Sequence, residues 1–100
     1  MPVQTVDTFP ALVSRFVADL ANLLEEPTPR TLSATDFIDL VERTRDVLGS
    51  SSLGTLYDAS EDLDAAAIYL TDALDSEPAD QTLLLARART HLRDAIETAG

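Results

Sequence analysis

The sequence contains no cysteine, no lysine and no tryptophan, a single methionine, a single histidine and three glycines. Without cysteine there is no disulfide framework, no thiolate nucleophile and no Cys-based zinc site. With one histidine, the paired Glu-x-x-His motifs that hold two metals inside helical bundles cannot be assembled, and Ala88 stands where His91 would need its glutamate. The glycine-rich phosphate cradles G-x-x-x-x-G-K-[ST] and G-x-G-x-x-G are absent. The run GSSSLG, residues 49–54, does not fit the nucleophile pattern G-x-S-x-G and joins helical segments rather than following a strand. No apolar run approaches the roughly 20 residues that cross a bilayer. The opening MPVQTVDTF has neither the basic nor the apolar region of a secretory leader. These absences lead us to expect a cytoplasmic, non-catalytic chain that carries no cofactor and no metal.

Positive charge is scarce. Seven arginines face 18 acidic residues, a formal net charge of -11. Acidity of this strength repels nucleic acid and anionic membranes, and it suits a protein partner with a basic surface. A salt-adapted or GC-rich source would produce a similar composition, so the placement of the acids matters more than their number.

Apolar residues make up 45% of the 100 residues, enough for a single core in a single domain. That core has to be aliphatic, because the aromatics are only Phe9, Phe16, Phe37, Tyr57 and Tyr69. Apolar positions recur at helical spacing in four segments, and nowhere does a strand alternation persist. The first segment, about 7–26, places Phe9, Leu12, Val13, Phe16, Val17, Leu20, Leu23 and Leu24 on one stripe. Asp7 or Thr8 can cap its start, and Pro27 and Pro29 follow its end. The second, about 33–48, opens on Ser33 with Asp36 three residues later, an approximate capping box, and Leu32 and Phe37 hold the staple positions. Its inner face is Phe37, Leu40, Val41, Thr44 and Leu48, Asp39 and Arg43 are spaced for an i,i+4 pair, and Gly49 is placed to end the helix. The third, about 55–75, has Thr55 with Asp58 as its start signal. The fourth, about 78–98, follows Ser76 or Glu77 as cap and turns Leu84, Leu85, Ala88, Leu92, Ala95 and Ile96 inward. Connections this short favour antiparallel neighbours, so the expected fold is an all-α, single-domain bundle of four amphipathic helices with up-down topology.

The third segment carries the functional question. On a wheel of about 100° per residue, Leu56, Ala59, Leu63, Ala67, Leu70 and Leu74 share the core side. Asp58, Glu61, Asp62, Asp64, Asp72 and Asp75 occupy the rest of the circumference. Ile68 falls among these acids, and Tyr57 and Tyr69 also lie off the leucine stripe. No basic residue occurs between Arg45 and Arg87, so the acids are expected to have no local neutralising partner. Asp58, Ser60, Asp62 and Asp64 have the spacing of a calcium loop, but Leu63 replaces the required glycine and Tyr69 the terminal glutamate.

The pattern predicts an acidic docking surface, with Ile68, Tyr69 and Tyr57 as apolar anchors and Asp58, Glu61, Asp62, Asp64, Asp72 and Asp75 attracting a basic protein partner. A DNA-mimicking inhibitor of a nucleic-acid-binding protein is one form of this. The alternatives are a homodimer in which the third or first helix packs on its twin, and a small-molecule-binding bundle. Arg87, Arg89 and Arg93 gather on the fourth helix, where they can pair with the acids of the third within or between subunits.

Overall fold

The computed structural model describes residues 7–100. The first six residues, on which most of the leader reading rests, lie outside it. Four helices account for most of the described chain: α1 (Phe9–Leu23), α2 (Ala34–Gly49), α3 (Gly54–Leu74) and α4 (Pro78–Ala99).

Local chemistry explains most of the boundaries. Thr8 caps α1 by accepting from the Ala11 amide at 3.2 Å, with Pro10 in the first turn where no amide is needed. Asp7 is not the cap; it pairs with Arg89 of α4 at 3.3 Å. The capping box at α2 is complete: Ser33 Oγ accepts from Asp36 N at 3.1 Å, and Asp36 accepts from Ser33 N at 3.4 Å.

Three boundary expectations are corrected. α1 stops at Leu23 rather than near Glu26, because the chain reverses at Glu25, whose φ of 57° is left-handed. The Glu26 amide donates to Ala21 O and the Glu25 amide to Asn22 O, which closes the helix end with the paired bonds of a Schellman turn. Gly49 does not supply a left-handed stop; it is the last helical residue, and Ser50 follows in right-handed geometry. α3 does not start on Thr55 with Asp58. Its N-cap is Leu53, which offers no side-chain acceptor. α4 starts where expected, from Glu77 as N-cap with Pro78 in its first position, although the Glu77 side chain makes no cap bond.

The core is nearly all aliphatic. Leu12, Leu20, Phe37, Val41, Leu63, Leu70, Leu85 and Leu92 are buried, with Phe16 at the α1 interface. Thr44 is fully buried and satisfied by donating to Leu40 O at 2.8 Å. Burial on α3 follows a four–three spacing, Ala59, Leu63, Ala66, Leu70 and Ala73, and α4 answers it with Leu85, Ala88, Leu92 and Ala95. Leucine and alanine alternate on both helices, and the antiparallel register that sets Ala73 by Gln81 and Asp62 by His91 brings Leu63 level with Leu92, Ala66 with Ala88 and Leu70 with Leu85, so leucine layers alternate with alanine layers along the seam. Gln81 extends the α4 row and donates across the seam to Ala73 O at 2.9 Å. Leu74, placed on the core side by the wheel, is 42% exposed, because it lies about 100° round the helix from Ala73, the last residue of the buried row.

α3 packs against α2 on one flank and α4 on the other, and α1 closes the ring by touching α2 and α4. α3 and α4 are antiparallel: Ala73 meets Gln81, Tyr69 meets Arg87 and Asp62 meets His91. α2 and α3 are antiparallel as well, with Gly49 against Ser60 and Arg45 bonded to Asp64. α1 departs from the expected up-down order. Asp7 meets Arg89, and Phe16 shares a cleft with Arg93 and Ile96, so contacts advance in the same sense along α1 and α4. Phe9 and Val13 lie by Leu32 and Ala34, while Glu26 reaches Arg43, so α1 and α2 also advance together. The reason is the connection: with α1 ending early, residues 24–33 form a ten-residue link. Pro27 and Pro29 disfavour helix there, and an extended link of this length spans about 33 Å, more than the rise of about 22 Å along a 15-residue helix.

Candidate docking face of α3

Because α2 and α4 cover its two flanks, α3 leaves only a strip along its outer side uncovered. The nine residues singled out from the sequence divide into three groups around it.

On the α4 flank, Asp62 Oδ1 lies 3.0 Å from His91 Nδ1 and accepts from it in the tautomer that carries the proton on Nδ1. Tyr69 is half-buried, stacked on His91 with ring centroids 5.7 Å apart, and the Arg87 guanidinium lies over its ring at 5.9 Å. These contacts make Tyr69 part of the α3–α4 seam, so it is less open to a partner than Ile68. On the α2 flank, Asp64 accepts from Arg45 Nη1 at 3.1 Å, while Arg45 Nε donates to Asp46 at 3.1 Å. The hydrogen bond to Asp46, opposed by partial burial and helped by Asp64, raises the Arg45 pKa above its ordinary value.

Two expectations are thereby corrected. Two acids of α3, Asp64 and Asp62, do have local partners, which come from α2 and α4 and are distant in sequence. The arginines of α4 do not supply them: Arg87 stacks on Tyr69, Arg89 pairs with Asp7, and Arg93 pairs with its neighbour Asp94 at 3.6 Å. The expected Asp39–Arg43 pair is also replaced, since Arg43 reaches Glu26 at 3.1 Å.

The third group is the open strip itself. Asp58, Glu61, Asp72 and Asp75 are exposed and meet no basic side chain among the described residues. Ile68 lies between the two acid pairs with 55% of its surface exposed, and Tyr57 at the start of the helix is 50% exposed. From Glu61 to Asp72 the rise is about 16 Å at 1.5 Å per residue. The strip is therefore an acid pair, an apolar centre and a second acid pair. Ile68 borders a shallow groove with Glu42, Arg45 and Thr71.

Sequence reasoning missed two residues beside this strip. Asp80 and Leu83 of α4 share a groove with Asp72 and Asp75, and Leu83 is 62% exposed. The signal was present in the run Leu83–Leu85: with Leu85 fixed inward by the four–three row, Leu83 has to point elsewhere. Among the described residues no group of three or more acidic or histidine side chains is arranged to hold a metal ion, and no helix is long and apolar enough to cross a membrane.

No protein-family profile matches the sequence, and neither a curated protein nor a solved structure matches it significantly. The reading of the face therefore rests on its own chemistry.

Proposed function

We propose that this chain is a non-catalytic interaction protein of the cytoplasm that binds a basic protein partner through the outer strip of α3. The observation that carries this reading is Ile68, an aliphatic side chain more than half exposed between two acid pairs that have no basic partner among the described residues. Unpaired carboxylates steer and orient a cationic surface, and a central apolar contact supplies the affinity that exposed charge alone does not. Asp64 and Asp62 contribute field rather than direct bonds, since Arg45 and His91 already occupy them.

The break at the centre of the strip bears on the nature of the partner. A phosphate-binding groove expects a regular ladder of negative charge, and the stretch between Glu61 and Asp72 is interrupted by Ile68 and Ala65. That favours a protein surface with an apolar recess between basic residues over a nucleic-acid-binding groove.

The test is capture from a lysate of the source cells with the tagged chain. A specific partner is retained at low salt and released at about 1 M salt, where charge is screened beyond about 3 Å. Ile68→Asp should release it even at low salt while leaving the circular-dichroism spectrum unchanged. Retention by Ile68→Asp, or by a variant with Glu61 and Asp72 neutralised, would remove the strip from the function.

A further inference from the structure

Near the α3–α4 turn, Asp72, Asp75 and Asp80 rim a groove of about 530 Å³ whose apolar lining is Leu83 and Leu84, with Arg87, which lies over Tyr69, as its one basic residue. Leu83 stands 62% exposed and Leu84 is half-buried beside it. Asp72 also borders the shallow groove on the opposite flank of α3, beside Ile68. One carboxylate thus sits between two exposed aliphatic side chains that belong to different helices. We propose that the C-terminal half of α3 and the first two turns of α4 form one continuous docking surface for a basic amphipathic helix of a partner protein. Ile68 and Leu83 are its two apolar contacts, and Asp72, Asp75 and Asp80 its charge contacts. The proposal rests on the acidic-strip reading above and extends it onto α4.

Charge selects the occupant. Asp72, Asp75 and Asp80 have no basic partner among the described residues, so covering them with an apolar or acidic surface would strand charge in a desolvated contact. The exposed leucine and isoleucine ask for aliphatic contact in the same footprint. A helix with an aliphatic stripe edged by arginine or lysine supplies both, and a groove between two antiparallel helices is the shape that accepts it. A second copy of this chain does not. Asp58 and Asp75, and Glu61 and Asp72, lie symmetrically about the middle of the strip, between Ala66 and Ala67, so a two-fold pairing centred there sets acid on acid whether the helices run parallel or antiparallel. For a head-to-tail contact the chain offers only scattered arginines: Arg43, Arg45, Arg89 and Arg93 are in ion pairs, Arg87 lies over Tyr69, and Arg15 and Arg30 line separate grooves.

The probe is a synthetic amphipathic helical peptide with leucines on one face edged by arginines, titrated calorimetrically into the full chain at about 0.15 M salt. A scrambled peptide of the same composition is the control for plain charge attraction. The helical peptide should bind more tightly than the scrambled one, and Leu83→Asp and Ile68→Asp should each weaken it about tenfold or more. Leu53→Asp, which adds the same charge at the other end of α3, should change it less than about twofold. If Leu83→Asp alters the folded spectrum, Leu83→Ser takes its place. Loss with Ile68→Asp but not with either Leu83 variant would overturn the extension onto α4 and leave the strip intact. No effect of either change, or equal binding of the scrambled peptide, would overturn both readings. A dimer in sedimentation that Leu83→Asp dissolves would make a second copy the occupant and overturn the choice of a basic helix.

Discussion

Replacing Glu25 with glycine should stabilise the protein, and the size of the gain follows from the end of α1. Glu25 holds φ at 57°, the left-handed region, while the amides of Glu25 and Glu26 close the helix by bonding back to Asn22 and Ala21. A side chain in that conformation costs about 1–2 kcal/mol. Glycine removes this cost but gives the unfolded chain more freedom, an opposing effect of about 0.5–1 kcal/mol. The Glu25 carboxylate makes no ion pair among the described residues, so truncation loses no contact there. The net expectation is a gain of about 0.5–1 kcal/mol, which in a domain of this size raises Tm by roughly 2–8 °C. Thermal unfolding followed by circular dichroism reads it directly. The neighbour Glu26→Gly is the control: it removes the 3.1 Å contact with Arg43 without relieving any left-handed residue, and should lower stability slightly. An unchanged or lowered Tm for Glu25→Gly would show that the chain does not reverse at this residue, and would return α1 to a longer helix with a shorter connection.

Three further changes probe the rest of the bundle. Leu63→Ala, at a position with no exposed surface, should cost about 2–5 kcal/mol in denaturant unfolding, and a cost below about 1 kcal/mol would place Leu63 outside the core. Leu53→Asp should add about 0.5–2 kcal/mol by giving α3 the side-chain acceptor it lacks; loss of stability would mean that α3 does not begin there. Gly49→Ala should add up to about 1 kcal/mol, since the new methyl group would sit 3.5 Å from Ser60 Oγ, an ordinary contact; a drop in Tm would show the α2–α3 seam to be tighter than described.

Helix positions, inner faces and the capping box were legible in the sequence because each is governed by residues a few positions apart. Ser33 and Asp36 specify a cap wherever the helix goes, and Phe37, Leu40, Val41, Thr44 and Leu48 had to share a face. What was not legible depends on partners far along the chain. Arg45 pairs with Asp64 and His91 bonds Asp62 from 19 and 29 residues away, which a view of α3 alone could not show. The same contacts take Tyr69 into the seam and leave Ile68 as the aliphatic centre of the strip. The wheel placed Ala67 correctly in the core, but it included Leu74, which is exposed, and left out Ala66 and Ala73, which the seam with α4 buries. A helix with two neighbours buries an arc set by both, and the wheel cannot say where the second one lies. The direction of α1 was lost through a small error: three residues assigned to the helix instead of the link made the return path too short to imagine.

The orientation of α1 carries a consequence for how the chain is made. α2, α3 and α4 form two successive hairpins, so each finds its neighbour next along the polypeptide. α1 emerges from the ribosome ahead of them, yet it must wait for α2 on one side and for the far end of α4 on the other. Leu12, Phe16 and Leu20 stay uncovered through that interval, and α1 is the last element able to dock. Nascent chains halted before α4 is complete should therefore be recognised by chaperones through α1, the helix that is first to be synthesised and last to find its place.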